Sequence, residues 1–346
     1  MGCISAQDTF TADFLENAVI NTTDVTLPAI TPEYKEFIAP AAARRMAKGV
    51  KNGIAASARA LLEAGVNMPG AIITGTGMGC NIDSEKFLKA VIDNNEEHLT
   101  PTSFIQSTHN TVGGQIALNL NCKAYNFTYV SGAVSFESCL LDAMLQLQEQ
   151  QANNILIGGV DELAEFTTKF QEVAGNLKKK EDGLFTILGS ETTGTVLSEG
   201  AVFFVLSNTK QQSTYAQVKD IAIYNILEPN EPELRLQEFL KKNNMDIADI
   251  DAVLLGYNGD ADFDIYYDSL GNGIFADTLQ LYYKHLSGEY NTVSAFGLWI
   301  AAKILKTQTV PDILKVNAVK PQSFKNILLY NQYRGKDHSF TLVSVC

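Results

Sequence analysis

Residues 125–147 carry the pattern with the most chemistry in it. Tyr125–Val130 reads as a buried strand, and Ser131-Gly132-Ala133 ends it in a tight turn. Residues 134–150 then follow a helical apolar repeat through Phe136, Leu140, Ala143 and Leu147. A strand turning sharply into a helix delivers the apical side chain to the positive end of the helix, the layout of a nucleophile elbow. Here the apex is Ala133, whose methyl group can neither attack a carbonyl nor exchange a proton. Ser131 and Ser135 flank it and are the candidate substitute nucleophiles, provided a base stands near. His109 is the histidine nearest to them in sequence, at a distance the sequence does not fix. No G-x-S-x-G run reinforces a serine assignment, and turn or helix capping is the ordinary use of such serines. Cys139 lies almost two turns past Ala133, out of reach of the amides at the turn, and reads as core packing, as does Cys80.

Several elements must position this turn. Gly2–Ala6 reads as a first strand, and residues 40–65 as one amphipathic helix. Met46, Val50, Ile54, Ala58, Leu61 and Leu62 lie on one face of that helix, with Gly65 as its stop. Residues 71–79 form an apolar strand entering a glycine-rich loop. Residues 83–95 form a helix capped by Asp83 or Ser84, and 112–120 another helix. Residues 154–159 are an all-apolar strand, so 125–159 is a βαβ unit, which implies a parallel sheet covered on both faces. Residues 171–183 read as an exposed loop, 200–207 as a buried strand and 208–213 as a linker. Beyond it come strands at 215–225 and 250–260, a helix at 231–244, a buried helix at 294–306, and strands at 326–331 and 338–345. The apolar strand running into glycines at 154–159 has a counterpart at 252–259. Two similar α/β halves are therefore expected, 1–208 and 209–346.

Composition narrows the function classes. The chain has 346 residues, 46% apolar and 19% charged, an ordinary globular balance. Its net charge of −13 disfavours nucleic acid and anionic membranes as partners. No run is long and apolar enough to span a membrane. The N-terminus lacks a signal-peptide pattern, and Ala6 stands where a myristoylation signal wants Ser or Thr. A cytoplasmic protein is expected. Five scattered cysteines without a CxxC pair argue against a disulfide framework or a zinc site. GTGMGC (75–80 with its preceding Thr74) lacks the full dinucleotide-binding spacing, so no cofactor is expected.

Taken together, the segments resemble the β-ketoacyl synthase family of the thiolase fold. Thr74–Gly79 is similar to the GTG turn of that family, and Thr111–Leu120 to the helix before the active-site strand. Ile155–Gly159 with Asp161-Glu162 is similar to its AGG-x-E strand, and residues 189–201 to its glycine-rich strand turn. The resemblance implies a thiolase-like α/β fold, two similar halves in a five-layer αβαβα arrangement. It also implies acyltransferase chemistry from a cysteine, two histidines and usually a lysine. The cysteine accepts the starter acyl chain; the histidines assist extender decarboxylation and stabilise the enolate. Counted back without gaps from Gly158-Gly159, the nucleophile position falls on Ala133. The first histidine position falls on Asn258 and the second on Glu289, and only Lys284 survives. Residues 331–339 replace most glycines of the C-terminal loop that normally helps bind the thioester oxyanion. An ionised Glu289 would oppose enolate formation.

The resemblance therefore implies a non-condensing member, similar to a chain-length factor. Such a subunit serves type II fatty-acid-like or polyketide synthesis, with an aryl-polyene-like pigment lipid as one product class. Its partner would be an active ketosynthase, or a second copy, paired through Tyr125, Asn126, Phe127, Thr128, Tyr129 and Val130. The positive clusters Lys178–Lys180 and Arg44, Arg45, Lys48 and Lys51 have two readings, a docking surface for an acidic acyl carrier protein as a further partner and, at least as readily, plain solvated faces. The alternative is an acyltransferase or hydrolase of altered chemistry using Ser131 or Ser135 with Asn258, Lys284 and Glu289.

Overall fold

The computed structural model describes residues 1–11, 14–183 and 185–346. Five strands build the first sheet: β1 Gly2–Ile4, β2 Ala71–Gly75, β3 Tyr125–Tyr129, β4 Asn154–Asp161 and β5 Gly200–Ser207. Five more build the second: β6 Gln217–Ile226, β7 Ala252–Leu255, β8 Leu279–Tyr282, β9 Asn326–Tyr333 and β10 Lys336–Ser344. The principal helices are α1 Lys48–Ala64, α2 Asn81–Asp93, α3 Thr111–Leu120 and α4 Ser135–Gln148. They continue with α5 Glu165–Val173, α6 Glu231–Lys242, α7 Ile265–Asn272 and α8 Ser294–Thr307.

The two sheets share one plan. The first runs β3-β2-β4-β5-β1 and the second β8-β7-β9-β10-β6. In each, the first three strands are parallel and the last two join antiparallel. The elbow helix α4, between β3 and β4, thus has its counterpart in α8, between β8 and β9. Both occupy the middle layer. Phe136, Cys139, Leu140 and Ala143 of α4 share one core with Phe296, Trp299, Ile300 and Ile304 of α8 and with inward residues of both sheets. The outer face of the first sheet is covered by α1 and α3 through Val50, Ile54, Val112 and Ile116. The outer face of the second is covered by α6 and α7 through Leu236, Phe239, Tyr267 and Leu270. The result is the five-layer α/β arrangement. Strand alternation sets the sides: Ala71 and Ile73 point to the middle layer and Ile72 outward.

Four local expectations are corrected. Tyr125–Tyr129 is not buried; it is the edge of its sheet, because no strand among the described residues pairs with its outer side. The helix expected over 40–65 is broken: Pro40–Ala43 is a separate turn, α1 begins at Lys48, and Leu62 is exposed. Tertiary contacts reset the start, since Gln106 accepts the Ala47 N–H at 3.2 Å and Glu162 accepts that of Gly49. The α2 helix starts at Asn81 with Cys80 at its N-cap rather than Asp83 or Ser84, and Glu162 accepts the Ile82 N–H at 3.1 Å. The loop at 171–183 is partly helical, and Lys178 is buried within it. Gly65 does end α1, in the left-handed conformation at φ +65°. The sequence predicts no element between 260 and 294, where the fold places α7 and β8.

Candidate functional site

Four segments converge at the N-terminal end of α4. The first is the elbow. Gly132 takes φ +57°, and residues Gly132–Val134 form one 3-10 turn leading into α4. The Ser131 N–H donates to Ser135 Oγ at 2.9 Å. That hydroxyl in turn lies 2.7 Å from the Gly132 carbonyl and 3.0 Å from the Thr76 carbonyl. Ser135 is wholly buried, so its proton is held between two carbonyls and its lone pair by an amide. Ser131 is exposed. His109 is also exposed, beside Gly79, and no hydrogen bond joins a histidine to either serine among the described residues. Ala133 is 2% exposed and puts its methyl at the apex. The Cys139 thiol donates to the Ser135 carbonyl at 3.2 Å, down the helix from the apex, and burial pushes its pKa far up. Cys80 is likewise buried with its pKa raised by burial, away from the elbow at the start of α2.

The second and third segments follow β7 and β8. Asn258 and Glu289 meet there. Glu289 Oε2 accepts from Asn258 Nδ2 and from Lys284 Nζ, both at 2.7 Å. Lys284 is 1% and Glu289 3% exposed, and Asn258 is equally buried. A buried ion pair and an amide therefore form one hydrogen-bonded unit at this wall of the site. Both charges are neutralised locally, and the carboxylate's position is set by two donors. Asp264 supports this wall by accepting the N–H groups of Asn258 (3.3 Å) and Gly259 (2.9 Å); burial still raises its pKa to about 7. Lys178 closes over it, donating to Ser190 Oγ, to both oxygens of Thr192 and to the Gly259 carbonyl. It is thus an internal strap rather than part of a surface cluster, and burial lowers its pKa.

The fourth segment is the β9–β10 hairpin, which contributes Asn331, Asp337 and Ser339. Asp337 Oδ2 accepts the Ala133 N–H at 3.1 Å. Ser339 Oγ donates at 2.8 Å to Glu137 Oε1, one turn along α4 from Ala133. Glu137 is buried, and that burial raises its pKa against the pull of Lys284. Sequence reasoning missed both acids. Glu137 had a signal: a charge three residues before Leu140 falls inside the apolar stripe of α4. The cavity between Glu137, Tyr283, Ser294, Leu298, Asn331 and Ser339 measures about 10 Å³. That is room for about one water and not for an acyl chain.

A staple fixes these segments to one another. Asp161, at the end of β4, accepts Thr76 Oγ1 (3.1 Å) and the Gly77 N–H (2.7 Å) on one oxygen. Its other oxygen accepts the N–H and hydroxyl of Thr292, both at 2.8 Å. The GTG turn is thereby tied to the start of α8. A side chain at Gly77 would collide with Asn291. The loop amides are spent within the protein, that of Gly77 on Asp161, that of Gly79 on Thr76 Oγ1 (2.9 Å) and that of Thr76 on the Tyr129 carbonyl (3.1 Å), which suits a turn that positions structure rather than a phosphate. Among the described residues no cluster of His, Cys, Asp and Glu could hold a metal ion.

The fold, the elbow and the two facing connections define a thiolase-fold, ketosynthase-like protein. The family model described as "Beta-ketoacyl synthase, N-terminal domain" matches residues 29–212, and the chain belongs to that family. It is similar over 100% of its length, and 98% of the other chain, to a beta-ketoacyl synthase from Burkholderia phymatum STM815, with TM-score 0.81 at 14% identity. The ishigamide ketosynthase/chain length factor matches with TM-score 0.77 at 15% identity, covering 100% of this chain and 97% of that one. The ketosynthase ApeO in complex with its chain length factor ApeC, from Xenorhabdus doucetiae, matches with TM-score 0.70 at 13% identity, covering 87% and 82%. No curated protein sequence matches the chain. Among the described residues no helix is long and apolar enough to cross a membrane.

Proposed function

We propose that the chain is a non-condensing, chain-length-factor-like subunit that works beside an active ketosynthase. One observation carries this reading: the strand, turn and helix of the elbow are intact while the apex is the methyl of Ala133. The surroundings agree with it. Decarboxylative condensation must hold an anionic extender and stabilise an enolate, and this site is lined by the carboxyls of Glu137, Glu289 and Asp337 with Lys284 already paired. The cavity next to the elbow takes no acyl chain, so a tunnel would have to form against a partner.

The partner face is the free edge of β3. Asn126 and Thr128 turn inward, bonded to the Gly113 carbonyl (2.9 Å) and the Thr74 hydroxyl (2.8 Å). Tyr125, Phe127 and Tyr129 form an aromatic ladder on the other face, with ring centres 6.1 and 4.9 Å apart. Tyr125, Phe127 and Val130 remain 45–46% exposed. An uncovered strand edge with apolar side chains is a pairing surface. An active ketosynthase seated there would supply the cysteine and histidines; a second copy would not. An acyl carrier protein would meet Arg44 and Arg45, the two cations of their cluster that face solvent. Lys48 is paired with Glu199, and Lys51 lies over the Tyr34 ring. The pathway fits type II fatty-acid-like or polyketide assembly, including aryl-polyene-like products.

Against acyl transfer by Ser131 or Ser135 stand the buried, doubly engaged hydroxyl of Ser135 and, among the described residues, a nearby carboxylate, Asp337, that is bonded to the Ala133 N–H and not to the Ser131 hydroxyl. Co-expression with a ketosynthase and carrier protein tests the proposal. A 1:1 complex by light scattering, in which only the ketosynthase becomes acylated, is expected. A homodimer that forms 3-oxoacyl product alone would overturn it.

A further inference from the structure

The hairpin that follows β9 is shaped to bring one carboxylate to the elbow. Arg334 and Gly335, at φ +53° and +68°, make a two-residue turn. Tyr333 pairs with Lys336, but Asn331 pairs with Ser339, so β10 carries one extra residue in between. Asp337, at φ +51°, sits in that bulge. A bulge re-aims a side chain out of the strand register, and here it aims Asp337 at the apex of the elbow. Its Oδ2 accepts the Ala133 N–H at 3.1 Å. The same oxygen lies 2.6 Å from where a Cβ on Gly132 would stand, so any other residue at 132 would displace it. A carboxylate is well placed at this end of α4, where unpaired amides and the helix dipole favour negative charge.

We propose that Asp337 is a built-in anion that occupies the amide a thioester oxyanion would need, so that the elbow excludes acyl thioesters even when a thiol is present. This deepens the reading of the chain as non-condensing and rests on it. The site would then be closed twice: by the missing sulfur at 133, and by the filled amide. The two closures are separable by mutation.

The test compares A133C, A133C/D337N and A133C/D337G with wild type. Each is incubated with the octanoyl thioester of N-acetylcysteamine and read by intact mass. In the transfer, the cysteine sulfur bonds the acyl carbon, the acyl–sulfur bond to N-acetylcysteamine breaks, and the thiol proton ends on the released thiol. The rate of iodoacetamide alkylation against pH gives a second readout that does not depend on acylation. With Asp337 in place, A133C is expected to take little or no octanoyl group, and its thiol to alkylate only at alkaline pH. Removing the carboxylate is expected to speed acylation at least about tenfold and to lower the alkylation midpoint by about one pH unit. D337N keeps the side-chain shape, so it carries the test if D337G folds poorly. Equal acylation of A133C and the double variants would overturn the proposal, as would an unchanged alkylation profile. An octanoyl adduct on wild type would overturn the non-condensing reading instead.

Discussion

Lys284 and Glu289 form an ion pair at 2.7 Å with almost no exposure to water. Both charges are desolvated; Lys284 donates to Glu289, and Glu289 accepts a second hydrogen bond from Asn258. Removing one partner strands the other.

E289L and K284M are therefore each expected to cost about 3–5 kcal/mol of stability. The double variant K284M/E289L should cost much less than the sum, because an apolar pair leaves no buried charge. Urea unfolding of the four proteins measures the coupling. Independent, additive losses would show that the pair is not a closed unit.

Asp161 ties the GTG turn to Thr292 with four accepted hydrogen bonds. D161A leaves four donors, three of them buried, without a partner and is expected to lose about 3 kcal/mol or more. D161N should recover part of this by accepting on one oxygen. The comparison is read by thermal or urea unfolding, and an effect under about 1 kcal/mol would mean water replaces the carboxylate.

His285 is buried and stacked on Tyr282 with ring centres 3.8 Å apart, and burial pulls its pKa down to about 3. The unfolded chain, near the ordinary value of 6.5, takes up the proton first as pH falls. Stability from this site is full above about pH 6.5 and is lost on acidification toward pH 3. Wild type should lose about 2 kcal/mol more than H285F between pH 6.5 and 5. Parallel stability profiles for the two proteins would show that the ring protonates freely in the fold.

Much of this was legible along the chain because the signals were local. The elbow shows in the strand repeat of 125–130, the glycine at 132 and the helical repeat after it, and the fold has a strand, a 3-10 turn and a helix there. What escaped was decided across the fold. The run Lys178–Lys180 looks solvated, yet Lys178 turns inward because Thr192 and Gly259 offer it acceptors from distant segments. The break before α1 comes from Gln106 and Glu162, far away in sequence. The edge position of β3 cannot be read from its own apolar residues, since a strand buried by its own chain and one awaiting a partner share a pattern. Asp337 acts through a bulge, and a one-residue slip in register leaves no mark on composition.

At the proposed partner face, F127D would place a charge in the middle of the aromatic ladder and is expected to weaken ketosynthase binding at least about tenfold. R44E/R45E should leave that dimer intact while weakening carrier-protein binding, most clearly at low salt. Light scattering and titration calorimetry separate the two effects. Loss of both interactions in either variant would place the surfaces wrongly.

The central claim is that this chain does not condense by itself. Purified wild-type protein is given octanoyl- and malonyl-loaded carrier protein, first alone and then with an active ketosynthase, and 3-oxodecanoyl product is measured. No product alone, and product with the ketosynthase present, is the expected result. Product from the chain alone, with an octanoyl group found on Ser131 or Ser135, would contradict it.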